Sequence, residues 1–385
     1  MKKVLVINTS YREFGGEDSN IQEEIRILKK RFLVNYLEFK NSDKLNLVDY
    51  LSFLIRSNFN SNKKLKKKLL EFQPDLVYVH NTWFKANLGI FSILKKNNYL
   101  VIHKIHSYRY YCTSFFSIKK HLHSSSRCFM CGIKEKSYLY FNKYFRESYF
   151  KSLAVVFYGR KYFKIILSNK IKVLVMNQFH KNFLQKLGIE NKNIGIYYNQ
   201  LENLSKKNFY NSNSNTVVYA GRLTENKGLQ ELLVSWTKAD TQNLKLLIIG
   251  TGELERKLKN EFKFQNIEFL GPLSNLKTIE IIKNSRAVIT ATKIYEGQPR
   301  LLTEASVNGV PAIFPSFGGL DEYFPKNYSL SFEQFNYDDL IKKIECINDS
   351  PLLEKLSNEV FLKTSSILNE EKLLDQFETF FIKYV

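Results

Sequence analysis

A chain of 385 residues with 44% hydrophobic and 25% charged positions is long enough for two domains and too apolar for a disordered or fibrous class. Its 4 cysteines make no disulfide framework over such a length and point to a reducing compartment. The net charge of +21 is uneven: residues 1–200 hold 36 Lys and Arg against 13 Asp and Glu, whereas residues 201–385 hold 22 against 24. This surplus predicts a polyanionic partner for the first half, either a nucleic acid or an anionic membrane surface. The run Lys63, Lys64, Lys66, Lys67 and Lys68 also reads as a solvated helix face.

In chain order, the apolar stretch after Met1-Lys2-Lys3 is only Val4 to Ile7, too short for a signal-peptide core, and reads as a first strand. Further buried strands are expected at 75–80, 100–103 and 173–176, with helical patterns near 19–30 and 65–72. The segment 205–215, rich in Asn and Ser without apolar periodicity, reads as a hinge. The pattern then restarts, with strands at 216–220, 244–249, 267–270, 287–290 and 311–314, each followed by turn residues and a helical stretch. Residues 353–385 read as helical and either complete the second domain or cross back to the first. No run of 18 uncharged apolar residues occurs, so no transmembrane helix is expected. The alternation predicts an α/β protein of two Rossmann-like parallel-sheet domains: 1–204 (basic), a hinge at 205–215, 216–365, and a terminal helix over 366–385.

In such sheets ligands bind beyond the carboxyl ends of strands, so those loops carry the chemistry. Strand 216–220 runs into Gly221-Arg222-Leu223-Thr224-Glu225-Asn226-Lys227-Gly228, placing two cations in one loop. Arg222 and Lys227 there suit a diphosphate clamp, although an ordinary helix-start loop with solvated charges reads the same way. The turn Gly250-Thr251-Gly252 lacks the third glycine of a dinucleotide fingerprint, where Glu255 stands. Glu296 and Glu304 lie eight residues apart around Gly297-Gln298-Pro299, one in a loop and one in the next helix. They suit the two ends of one ligand, a sugar ring and a ribose, or serve the helix dipole alone.

The order Gly221-Arg222…Lys227-Gly228, Gly250-x-Gly252-Glu253, Phe269-Leu270-Gly271, Glu296-x7-Glu304-Ala305, Gly309-Val310-Pro311 and Gly318-Gly319-x2-Glu322 resembles the nucleotide-sugar domain of family 4 retaining glycosyltransferases with the GT-B fold. Gly15-Gly16 after the first strand and the segment His103-Lys104-Ile105-His106 resemble the family's glycine loop and His-containing segment. The resemblance implies two domains facing across a cleft, with Arg222 and Lys227 on the donor's diphosphate, Glu296 on the transferred sugar and Glu304 on the ribose. It implies that His106, rather than His103, approaches the sugar. Backbone N–H groups around Gly16, Gly252, Gly297 and Gln298 would complete the donor site.

The implied reaction moves a hexosyl or N-acetylhexosaminyl group with retention from a UDP- or GDP-sugar to a hydroxyl of a growing lipid-diphosphate-linked saccharide acceptor, as in O-antigen or capsule assembly. No cofactor is expected, and no metal, because no Asp-x-Asp triplet occurs and Arg222 and Lys227 take its place. The basic, aromatic first half is then expected to sit peripherally on the inner, anionic face of the cytoplasmic membrane, with no nucleic-acid partner. Gln298 and Arg300 depart from the family's commoner residues and leave the sugar open. Alternatives are a GT-B-fold epimerase and a non-enzymatic polyanion-binding protein. Cys112, Cys128 and Cys131, with His121 and His123 between them, are either a zinc site of unusual spacing or free thiols.

Overall fold

The computed structural model describes residues 1–10, 16–41, 47–106, 108, 148–168, 171–201 and 210–382. The chain divides into two units, the first built from residues 1–115, 124–202 and 368–385 and the second mainly from 203–367. Cys112, Cys128, Cys131, His121 and His123 lie outside the described residues.

The first unit begins with β1 (Lys3–Ser10), whose apolar run is buried from Val4 onward. It continues through α1 (Gly16–Leu28), β2 (Leu33–Lys40), α2 (Leu47–Ile55), α3 (Phe59–Phe72), β3 (Leu76–Val79), α4 (Gly89–Lys96) and β4 (Leu100–Lys104). After the undescribed stretch come α5 (Tyr149–Ile166), β5 (Ile171–Val175), α6 (Gln178–Lys186) and β6 (Ile194–Ile196). Local chemistry sets several boundaries: Asn58 caps α3 by accepting from Ser61 N, and Gln73 ends it in the left-handed conformation. All pairings are parallel, in the order β2-β1-β3-β4-β5-β6. The edge strand β2 is only partly buried, so its alternating sequence gives no continuous apolar run.

The second unit comprises β7 (Thr216–Ala220), α7 (Leu229–Lys238), β8 (Lys245–Ile249), α8 (Glu255–Glu261), β9 (Ile267–Gly271) and α9 (Asn275–Lys283). It is completed by β10 (Ala287–Ile289), α10 (Arg300–Ser306), β11 (Ala312–Ser316), β12 (Ser331–Glu333), α11 (Tyr337–Cys346) and α12 (Ser350–Ile367). Its sheet is again parallel, in the order β12-β11-β10-β7-β8-β9.

The terminal helical pattern is two helices. A break at Leu368-Asn369, where Asn369 accepts from Lys372 N at 3.0 Å, separates α12 from α13 (Glu370–Ile382). Helix α13 packs on the first unit: Leu373, Leu374, Phe377 and Phe381 are buried with Val4, Ile25, Leu28, Phe32, Tyr78 and Tyr197. The Phe377 ring meets Phe32 and Tyr78 edge-on at 5.7 and 5.1 Å between centroids.

Candidate functional site

Each sheet has a topological switch point where successive connections leave in opposite directions, between β1 and β3 in the first and between β7 and β10 in the second. The loops leaving these strands carry the chemistry of each unit.

In the second unit the loops after β7, β8 and β10 pack together because three glycines let backbones touch. A side chain at Gly228 (φ +68°) would put its Cβ 1.9 Å from the carbonyl oxygen of Ala291, beyond β10. One at Gly250 (φ +130°) would lie 2.0 Å from Gly221 O, and one at Gly252 would lie 2.5 Å from Leu223 O. Leu223 N donates to Thr251 O at 2.9 Å and Lys293 N to Asn226 O at 2.9 Å, which locks the three loops in register. The Gly250-x-Gly252 turn is thus where two loops approach each other.

This packing brings Lys227 and Glu296 together across the switch point: Lys227 Nζ lies 2.5 Å from Glu296 Oε1, with both side chains about one-fifth exposed. Thr292 Oγ1 donates to the same carboxylate oxygen at 3.1 Å. Arg222 is exposed in the β7 loop, and its carbonyl is held by the Tyr219 hydroxyl at 3.1 Å. Burial pushes the Tyr219 hydroxyl above its ordinary pKa, so it remains a neutral donor. Glu304 is buried on α10, where Arg300 Nε meets its Oε1 at 2.5 Å. Gly297 presents its carbonyl to Tyr323 OH at 2.9 Å, and Gln298 is half-buried in the same loop. The two carboxylates eight residues apart therefore each hold a cation, Lys227 for one and Arg300 for the other. The Arg300 partner follows from i,i+4 helical spacing; the Lys227 partner is 69 residues away and required the fold.

In the first unit Gly16 opens α1 and is exposed, next to Glu17 and Asp18 in the first turn. Asp18 is buried and accepts from Asn8 Nδ2 of β1 at 3.3 Å. His103 on β4 is satisfied inside the fold, with Nδ1 2.9 Å from the Val79 carbonyl and Nε2 2.6 Å from Tyr162 OH. His106, two residues beyond β4, is half-buried, and its Nε2 lies 2.9 Å from Nδ1 of His80, the residue after β3. Burial, with positive Lys104 nearby, holds both imidazoles well below the usual histidine pKa, and burial brings His103 down to about 4. Beneath them Lys104 Nζ pairs with Glu24 at 2.9 Å, fully buried, and Tyr78 OH donates to the other Glu24 oxygen. Sequence reasoning matched His80, at the end of the 75–80 strand, to the family's pattern without giving it a role, and passed over Glu24. A histidine directly after a buried strand was a signal for the first; Glu24 lies within an amphipathic helix and carries none. Among the described residues no group of three His, Cys, Asp or Glu side chains could hold a metal ion.

Two parallel α/β units with these connections define a GT-B fold. Sucrose-phosphate synthase from Thermosynechococcus elongatus superposes with a TM-score of 0.72 at 13% identity, covering 100% of this chain and 99% of that one. HepE from Anabaena, solved with UDP and glucose, gives 0.70 at 14% identity over 100% of both chains. At such identities the likeness is one of fold. In sequence, residues 200–360 match the family described as Glycosyl transferases group 1. The amylovoran biosynthesis glycosyltransferase AmsD of Erwinia amylovora is 32% identical over 148 residues, 37% of this chain and 42% of that protein. The chain spans about half the length of the first curated relatives it matches, 42, 57 and 54%.

Proposed function

We propose that the protein is a metal-independent retaining glycosyltransferase that moves a sugar from a nucleotide-sugar donor to a hydroxyl of a lipid-diphosphate-linked glycan. The observation that carries this reading is the Lys227–Glu296 pair at the switch point of the unit whose sequence matches the group 1 family. Its two members are charges that a nucleoside diphosphate-sugar separates. The diphosphate competes with Glu296 for Lys227 and recruits exposed Arg222, while Glu296, once released, faces the sugar. As the bond from the anomeric carbon to phosphate oxygen breaks, negative charge grows on the diphosphate and positive charge on the sugar, so cation and carboxylate each stabilise the transition state. The acceptor oxygen forms its bond on the face the leaving group vacates, and its proton passes to the departing phosphate oxygen. Glu304 accepts from the ribose hydroxyls, and His106 is the first unit's hydrogen-bonding group for a sugar. UDP is the favoured nucleotide on the strength of the one bound in the HepE structure.

The acceptor reading rests on the first unit's surface. Leu51, Leu54, Ile55 and Phe59 on α2 and the start of α3 are exposed beside the lysines of α3. A groove of about 850 Å³ between β2 and α3 is lined by Lys40, Lys64, Lys67, Lys68 and Lys85, with Glu38 and Glu71 among them. Exposed apolar side chains followed in the chain by a lysine-rich helix suit an anionic lipid interface.

A thermal-shift panel of UDP, GDP, ADP and their sugar conjugates in EDTA tests the donor site: one nucleotide is expected to raise the melting temperature, and Glu304→Ala to weaken that shift. No shift with any of them would overturn this reading of the second unit. Sedimentation with phosphatidylglycerol vesicles at low salt, reduced by Leu54→Asp with Ile55→Asp, tests the membrane face. NMR of the product showing inversion at the anomeric carbon would remove retention.

A further inference from the structure

His80 and His106 come from adjacent parallel strands. Val79 is paired with His103, so the residue after β3 and the residue two beyond β4 leave the sheet side by side. Their rings stack at 24° with centroids 5.2 Å apart, and one nitrogen of each meets at 2.9 Å. Two nitrogens at that distance share one proton, so one is a donor and the other a lone pair.

Which is which follows from the surroundings. Nε2 of His80 is buried and has no hydrogen-bond partner among the described residues. If His106 donated, His80 would carry its proton on that Nε2, leaving a buried N–H with no acceptor among the described residues, a rare arrangement in folded proteins. If His80 donates from Nδ1, the group left on Nε2 is a lone pair. The nearby Lys104 ammonium, buried against Glu24, favours a lone pair over an N–H dipole in the same place.

We propose that His80 is a positioning residue that donates from Nδ1 to Nε2 of His106, holding His106 in the Nδ1–H form. His106 is then a hydrogen-bond donor at its remaining nitrogen, for which no described residue supplies a partner, and that N–H suits an oxygen acceptor such as a sugar hydroxyl. The opposite tautomer would offer a lone pair there and select a hydroxyl proton instead, so His80 determines what the site asks of its ligand. The use of that N–H on a sugar rests on the function proposed above; the tautomer does not.

The test is two-bond proton–nitrogen correlation NMR on the full chain labelled with ring-15N histidine, with no nucleotide or sugar present and with His106→Gln to assign the signals. Wild type is expected to show a protonated Nδ1 and a bare Nε2 on His106 at neutral pH. His80→Phe, which keeps a ring and removes the donor, is expected to shift His106 toward the Nε2–H form. His80→Asn, whose amide N–H stands near the position of Nδ1, is expected to restore the wild-type pattern. A wild-type His106 protonated on Nε2 overturns the inference even where the Phe variant does not fold, and so does a His106 tautomer unmoved in folded His80→Phe. Because no ligand is used, either result leaves the nucleotide panel standing, and a failed panel leaves the histidine pair standing.

Discussion

The two units share a six-stranded parallel sheet and a switch point at which loops gather, yet they equip that point with opposite chemistry. In the second unit it is furnished with partly exposed charges, Lys227 against Glu296 with Arg222 exposed in the β7 loop, on loops held together through Gly228, Gly250 and Gly252. In the first it is furnished with the neutral imidazoles of buried His80 and half-buried His106, near a buried Lys104–Glu24 pair. All 6 histidines of the chain fall in the first 180 residues, and none in 203–367. Charges that can exchange partners suit a polyanionic ligand, whereas neutral rings fixed by neighbours suit recognition of a neutral polyol.

The chain's 2 tryptophans, Trp83 in the first unit and Trp236 in the second, allow each side of the comparison to be broken separately. The largest effects are expected from packing. Gly228→Ala combines a left-handed backbone with a Cβ 1.9 Å from a carbonyl oxygen and should cost about 3–5 kcal/mol, seen at Trp236. Phe377→Ala removes a buried ring from the α13 contact at a cost of about 3–5 kcal/mol and should be seen at Trp83. If either substitution melts both units together in single-tryptophan variants, the units do not unfold independently. Next is function: Lys227→Ala should lower sugar transfer about 10²–10³-fold, roughly 2.7–4 kcal/mol in the barrier, with little change in melting, since the pair it breaks is partly exposed. Unchanged transfer would remove Lys227 from the reaction.

Acid should separate the units next. His103 has its pKa brought down by burial to about 4 and His180 to about 3, against about 6.5 when unfolded. The unfolded chain therefore binds more protons, and the stability these neutral rings carry is complete above pH 6.5 and lost as pH falls toward the folded values. For His103 alone the loss is about 3 kcal/mol. The Trp83 signal should unfold on acidification between about pH 6.5 and 4 while Trp236, within residues 203–367 where no histidine occurs, stays native. Trp236 responding first would mean that carboxylates, rather than imidazoles, govern acid stability.

Most strands and the positions of the loop motifs were legible because buried parallel strands are continuous apolar runs and helix-start loops carry Gly, Lys and Arg in recognisable order. Strand β2 was not, since an open-sided edge strand has an alternating sequence, whereas the break at Leu368-Asn369 falls within a few residues of the expected start of the terminal helix at 366. Glu296 and Lys227 could be read as charged loop residues, but their pairing across 69 positions depends on which strands are neighbours. The His80–His106 contact is hidden for the same reason: 26 residues separate two rings that only the β3–β4 register brings together.

The smallest effect is expected where the ion pairs are most numerous. Arg31 on the turn after α1 donates to Asp375 and Glu371 at 2.6 Å and to Glu378 at 3.1 Å, three acceptors on one face of α13, while Lys30 and Arg26 reach Glu370. The arrangement looks like a clasp for the terminal helix, but Glu371 and Asp375 are 70 and 66% exposed, so water competes for every partner and added salt screens what remains. Leu373, Leu374, Phe377 and Phe381 hold the helix through burial that salt does not weaken. Arg31→Ala should therefore leave melting at Trp83 within replicate scatter at raised salt and lower it slightly at low salt, with amide exchange in α13 unchanged. If exchange there instead rises to the level of a free helix, charge rather than apolar contact attaches α13, and the first unit would be loosened by salt as well as by acid.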